Sequence, residues 1–275
     1  MISTGQLMLA VLSTVALGIA SSAIAQRIRY RAQGRGKVLP YMMVAIIVLN
    51  LILLGWRVAD MGLHHAVATQ FNCTVLLATL LTAMGLLSQG HRGVLGLDGL
   101  LLPVAAILQI GAFTIILDVP EAPETAAWFV VHQLAIVASA TFFITAGMAG
   151  GVYLALVRIL RKKQPSPIIG RFAPLESWER IGRWCTLIGF GLFTFGILTG
   201  ICKAMHLAPS HRPNWLTDTV IVACFALWAA YAAALAATWL VPSFRGRKAA
   251  FMAVGSGAVL VAVFLVIDLL SVVHG

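Results

Sequence analysis

Between breaks rich in charge, proline or glycine, this sequence runs apolar for about twenty residues or more, and it does so eight times. The runs are approximately residues 4–26, 39–59, 70–88, 94–117, 126–157, 183–205, 215–241 and 249–273. A helix needs about 20 apolar residues to cross the hydrocarbon core of a bilayer. The runs are far longer than the ~10-residue alternating strands of a membrane barrel. Composition agrees: 60% of the 275 residues are hydrophobic and 10% are charged, where a soluble domain carries roughly 25% charged residues. A soluble enzyme, a disordered chain and a disulfide-rich secreted domain are excluded. The expected fold class is all-α: a polytopic membrane helix bundle of eight transmembrane helices, forming one transmembrane domain over residues 1–275. Spans 1–4 fall in residues 1–125 and spans 5–8 in 126–275. The fifth run is long enough to extend beyond the bilayer.

The net charge of +10 would suggest nucleic acid in a soluble protein. Here it reports orientation, because cytoplasmic loops of membrane proteins concentrate Lys and Arg. Sixteen of the nineteen Lys and Arg fall after spans 1, 3, 5 and 7. Seven of these lie between Arg158 and Arg183. The other side holds only Arg57, Lys203 and Arg212. Both termini are therefore expected outside the cytoplasm, in a multi-pass protein of a bacterial-type cytoplasmic (inner) membrane. The first span resembles a signal peptide at Ala23 and Ala25, but its positive charges follow the apolar run rather than precede it. That is the wrong order for a cleaved signal, so it is kept as a span.

This orientation sorts the histidines. His64, His65, His132, His206, His211 and His274 fall on the outer side and only His91 inside. Neutral imidazole is a ligand for haem iron and many other metals. Each histidine taken singly is better accounted for as an ordinary interfacial side chain, and the clustering on one side weakens that reading for the set. His132 is the most informative, since an ionisable residue inside a span is a functional candidate by default. Helical spacing sets Trp128 one turn outward on its face, and Ala135, Ile136, Ser139 and Phe143 inward. Small residues and aromatics beside a histidine suit a flat apolar cofactor, whereas a histidine bonded to a loop carbonyl is the plainer reading. Asp268 and His274 are six residues apart, roughly 120° around a helix, so Asp268 is a poor orienter for that imidazole.

Other features say less. Gly147 and Gly151 in span 5, and Gly196 and Gly200 in span 6, have the spacing that lets helices approach closely. With Gly189 they predict close packing of spans 5 and 6, or a smooth wall offered to a ligand by span 6. The acidic loop DVPEAPET, residues 118–125, reads as a solvated turn. Cys73, Cys185, Cys202 and Cys224 form no CxxC pair, which gives no support to a redox motif or zinc site. Phosphate-loop, nucleophile-elbow and HExxH patterns do not occur.

Four stretches in the second half carry a resemblance. They are WFVVHQLAIVASATFFITAGMAGGVYL, RFAPLESWERIGRWCTLIGFGLFTFGILTGICKA, FRGRKAA and VIDLLSVVHG. In this order they resemble the cytochrome c assembly family of haem-handling membrane proteins, in its short eight-span branch (the HemX and CcsA type). The N-terminal half matches loosely, mainly in span number and in LGLDGLLLPVAA. The resemblance implies haem b at the outer face, with His132 and His274 as its axial ligands. Longer members have a tryptophan-rich, Asp-containing loop between these histidines. Here the loop reads KAMHLAPSHRPNWLTDT, with Trp215 and Asp218 as remnants. Trp128 and Trp215 would cover the macrocycle, and Arg212 or Lys203 would meet its propionates. The departure in the loop favours haem delivery or regulation over haem-ligation catalysis.

The expected partners are haem, membrane lipid and other cytochrome c assembly proteins, with no nucleic acid. One alternative is a non-catalytic regulator of a tetrapyrrole-biosynthesis enzyme, docking through the basic stretch from Arg158 to Arg183. Another is a small-solute transporter. It is disfavoured because transporters place polar groups near the midplane, whereas here the polar residues are expected near the membrane faces.

Overall fold

A computed structural model describes residues 3–30, 38–89, 96–113, 127–162, 173–206, 219–241, 244, 246–258 and 260. Its elements are α1 (Thr4–Tyr30), α2 (Val38–Met61), α3 (Leu63–Ala68), α4 (Gln70–Gln89), α5 (Asp98–Ala112), α6 (Ala127–Arg161), α7 (Leu175–His206) and α8 (Thr219–Leu240). A further helix, α9, covers residues 247–258. Among the described residues there is no strand.

Among the described residues six helices (α1, α2, α4, α6, α7 and α8) are long and apolar enough to cross a membrane. The protein is accordingly an all-helical, multi-pass membrane protein. In the fourth expected span, 94–117, the described residues form a helix over Asp98–Ala112, 15 residues with Pro103 inside, and residues 94–95 and 114–117 lie outside the described residues. The eighth, 249–273, is described as far as residue 260. The fifth has 35 residues, about 52 Å of helix at 1.5 Å per residue.

The sixth begins at Leu175, ahead of its expected start at 183. Apolarity alone misplaced that boundary. The Pro174 carbonyl accepts from the Ser177 and Trp178 amides, Glu176 lies in the first turn where a negative charge suits the helix N-terminus, and Trp178 is fully buried. The helix therefore starts in a charged, amphipathic segment before the apolar run takes over.

The chain divides into two compact units, one of residues 1–133 and 167–173, the other of 134–166 and 174–275. In unit 1, α1 opens with a capping box: the Gln6 amide donates to Ser3 Oγ and the Ser3 amide to Gln6 Oε1. Its inward line is small, with Ala10, Ser13, Leu17 and Ala20 buried, while Met8, Val11, Leu12, Val15 and Ile19 are exposed. Exposed large apolar residues along one helix face are what a lipid-facing surface requires. On α2, Leu39, Met43, Ile46, Asn50, Leu53 and Arg57 turn inward at helical spacing. Gly85 of α4 sits where α2 and α5 converge, since a Cβ there would come within 3.0 Å of Leu102 and 3.2 Å of Met43.

Unit 2 is organised around aromatic contacts. Phe143 of α6 stacks on Tyr231 of α8, centroids 3.7 Å apart and planes 15° apart. Phe193 of α7 meets the same ring edge-on at 5.9 Å. Trp228 stacks on Phe190 and donates its indole N–H to Thr194 at 3.0 Å. The glycines allow the close approach: a Cβ at Gly189 would lie 3.0 Å from Phe143, and one at Gly196 would lie 2.8 Å from Ile136. Spans 5 and 6 thus pack closely, the first of the two roles expected for these glycines. Gly147 instead faces the backbone of α9, near the Ala253 carbonyl and Gly257. Gly151, expected to pair with it, has nothing among the described residues within 4 Å of its Cβ position. The position that does is Gly150, whose Cβ would lie 2.8 Å from the Ala250 carbonyl oxygen.

Candidate functional site

Polar side chains are not confined to the ends of the spans. Ser13, Asn50, Thr79 and Gln109, one each from α1, α2, α4 and α5, are all at most 4% exposed, and the first three lie well inside their helices. Asn50 Nδ2 donates to Thr79 Oγ1 at 3.0 Å and to Gln109 Oε1 at 3.2 Å. Gln109 Nε2 donates to Asn50 Oδ1 at 2.9 Å and to Ser13 Oγ. This corrects the expectation that polar groups stay near the faces. Both amides spend their donors and acceptors on each other and on the two hydroxyls. The cluster therefore ties four helices together rather than presenting open groups to a solute.

A second polar assembly occupies one end of unit 1, built from the start of α1, the end of α2, α3, and the starts of α4 and α6. Gln6 Nε2 donates to Asp60 Oδ2 at 2.6 Å, joining α1 to α2. Gly62, at φ 80°, ends α2 and lets α3 begin at once. Thr69 closes α3 by donating its hydroxyl to the His65 carbonyl at 2.9 Å. Asn72 Nδ2 donates to the Ala66 carbonyl at 2.7 Å, and Cys73 donates its thiol proton to Val67 O at 3.2 Å. Gln133 of α6 donates to Cys73 Sγ at 3.2 Å, fastening the first turns of α6 to the start of α4. His64, His65 and His132 consequently share one end of unit 1. The loop expected to carry His64 and His65 is the helix α3.

At this end Arg57 is only 1% exposed. Its guanidinium carbon lies 5.0 Å from the Phe71 ring centroid, a cation–π distance. Its Nε and Nη1 have no hydrogen-bond partner among the described residues, and nor do His64 Nδ1 and Asn72 Oδ1. In the sequence Arg57 stands out only as one of the three basic residues on the outer side. Its place inside an otherwise apolar run was a signal that it has work in the interior.

His132 is half-buried and Trp128, one turn outward, is 44% exposed. The inward line expected to lie along a flat cofactor does not face open space. Ala135, Ser139 and Phe143 are buried, with Gly196 beside Ala135 and the Phe143 ring covered by Phe193 and Tyr231. A macrocycle at His132 would thus fit against its outward side, toward Trp128, and not along that line. His274, Trp215, Asp218, Arg212, His211 and Asp268 lie outside the described residues, as do the side chains of Lys203 and His206. Among the described residues no three His, Cys, Asp or Glu side chains are grouped to hold a metal ion. The cysteines are free thiols.

Unit 2 contains a cleft of about 630 Å³, its open mouth included, lined in part by Gly150, Trp178, Gly182, Arg183 and Ser256. At its rim Glu179 accepts from the Gly246 amide at 3.1 Å. No family model, no curated protein and no solved structure matches this chain.

Proposed function

We propose that the chain is a haem-handling integral membrane protein of cytochrome c assembly, holding haem b at the extracytoplasmic face of a bacterial-type inner membrane. His132 and His274 would be its axial ligands. The observation that carries this reading is the state of His132. It is half-buried at the start of α6 beside an exposed indole, and Gln133, the next residue, is anchored to Cys73. An imidazole held in place yet reachable from outside suits axial ligation.

Bound haem would supply an iron whose two axial positions neutral imidazoles close. The chain's own contribution would be to hold His132 rigidly through α6, to cover the macrocycle with Trp128 and Trp215, and to keep the iron away from solvent. Arg212 and Lys203 would pair with the propionates as charge-assisted contacts, with Asp218 in the same loop. Delivery to another assembly protein, rather than catalysis, is the role proposed.

The test is titration of ligand-free protein in detergent with ferric haem. Wild type should give a saturable, low-spin six-coordinate spectrum. His132→Ala and His274→Ala should each give a five-coordinate high-spin spectrum with weaker binding. Spectra unchanged in both variants would remove these residues as ligands.

A further inference from the structure

Five buried side-chain polar atoms lack a partner among the described residues, and four of them fall within residues 57–72: Arg57 Nε and Nη1, His64 Nδ1 and Asn72 Oδ1. Buried polar groups are otherwise hydrogen-bonded almost without exception, so such a concentration at one bundle end needs a physical reason. Helix packing does not supply it. A buried guanidinium costs several kcal/mol unless it is paired and hydrogen-bonded. The carboxylate nearest in sequence, Asp60, already accepts from Gln6, and the Phe71 ring covers one face of the guanidinium without accepting at its edges.

We propose that this end of unit 1 is a binding site for a carboxylate, which Arg57 neutralises and hydrogen-bonds. Nε and Nη1 lie on different edges of the guanidinium, so the ligand presents more than one acceptor atom. Asn72 Oδ1 accepts from a donor group beside that carboxylate. His64 Nδ1 takes either role, according to its tautomer. Phosphate of a lipid headgroup is the poorer occupant: Arg57 is 1% exposed, and a headgroup carrying two acyl chains is far bulkier than a planar carboxylate. The carboxylate has two sources, a free small organic acid or the acid arm of a larger ligand such as a porphyrin. The site does not depend on His132 or His274 binding iron.

The experiment uses the full chain in detergent, in two arms. In the first, thermal unfolding is followed against sodium propionate, with sodium chloride at equal ionic strength as control. In the second, binding of protoporphyrin IX is compared with that of its dimethyl ester, which lacks the acid groups. Each arm is run on wild type, Arg57→Gln and Asn72→Leu.

Saturable stabilisation by propionate that is lost in Arg57→Gln supports the site with a free acid. Preference of at least tenfold for the free-acid porphyrin, lost in the same variant, assigns it to a porphyrin arm; one charge-assisted hydrogen bond is worth about tenfold or more. No wild-type response in either arm, or a response unchanged by both substitutions, overturns the proposal and leaves water as the occupant. Ligand-free Arg57→Gln should fold about as well as wild type, because it removes a buried charge whose Nε and Nη1 lack hydrogen-bond partners and gives up only the charge attraction of Asp60 and the contact with the Phe71 ring. If it fails to accumulate, Asn72→Leu carries both arms alone. A haem titration that fails while propionate binds would count against the proposed function and not against this site.

Discussion

The neighbouring glycines 150 and 151 give opposite expectations for one and the same change. At Gly150 an added Cβ would lie 2.8 Å from the Ala250 carbonyl oxygen, 3.2 Å from Val254 Cγ2 and 3.3 Å from Ala253 Cβ. The nearest of these is backbone and cannot rotate away, so α6 and α9 must separate by roughly half an ångström to restore ordinary contact. Overpacking of this kind costs about 1–3 kcal/mol, offset in part by the ~0.5–1 kcal/mol that alanine gains over glycine within a helix. At Gly151 nothing among the described residues lies within 4 Å and the position is exposed, so only the gain applies. Gly150→Ala should therefore be less stable than Gly151→Ala by about 2 kcal/mol, close to thirtyfold in the folding equilibrium. Unfolding in mixed micelles of increasing denaturing detergent, read by helicity, measures the difference. Equal stabilities, or a more damaging Gly151→Ala, would refute the packing of α6 on α9 through Gly150.

Further expectations follow from single contacts. Asn50→Leu removes three hydrogen bonds from the buried cluster, about 2 kcal/mol at the ~0.6 kcal/mol typical inside membranes; combined with Gln109→Leu it should cost less than the sum, by the same unfolding assay. Gly246→Ala should destabilise by about 1–2 kcal/mol, because Gly246 has φ 65° and its Cβ would lie 2.9 Å from the Tyr153 hydroxyl; Tyr153→Phe should restore only part of this, since the backbone strain remains. For the orientation, single cysteines placed as Arg35→Cys and His65→Cys in a chain without its native cysteines should differ in intact cells. A membrane-impermeant thiol reagent should label position 65 and not position 35, and the reverse pattern would invert the topology.

The helical class and most of the spans were legible because lipid leaves an unmistakable compositional mark: long uncharged runs need no knowledge of packing. Boundaries failed where a helix leaves the apolar regime, as at Leu175, where capping by Pro174 and the buried Trp178 extend α7 into charged sequence. Helix partners were only half legible. Glycine spacing announced close approach at Gly147 and Gly196, but spacing is blind to azimuth, and the close approach to α9 uses Gly150 instead of Gly151. The cluster of Ser13, Asn50, Thr79 and Gln109 was invisible because its members are up to 96 residues apart and none looks unusual alone. The expected cofactor face below His132 failed for the same reason. Ala135, Ser139 and Phe143 do share a side of α6, but that side meets protein, and periodicity cannot distinguish a face that packs on a neighbour from one that awaits a ligand.

The central claim is tested most directly by the visible absorption spectrum, oxidised and reduced, of the full chain purified in detergent from a haem-replete host. The account predicts a Soret band with the sharp reduced bands of bis-imidazole haem b, absent when His132 and His274 are both changed to alanine. A colourless wild-type protein, or a haem spectrum that survives the double substitution, would contradict it.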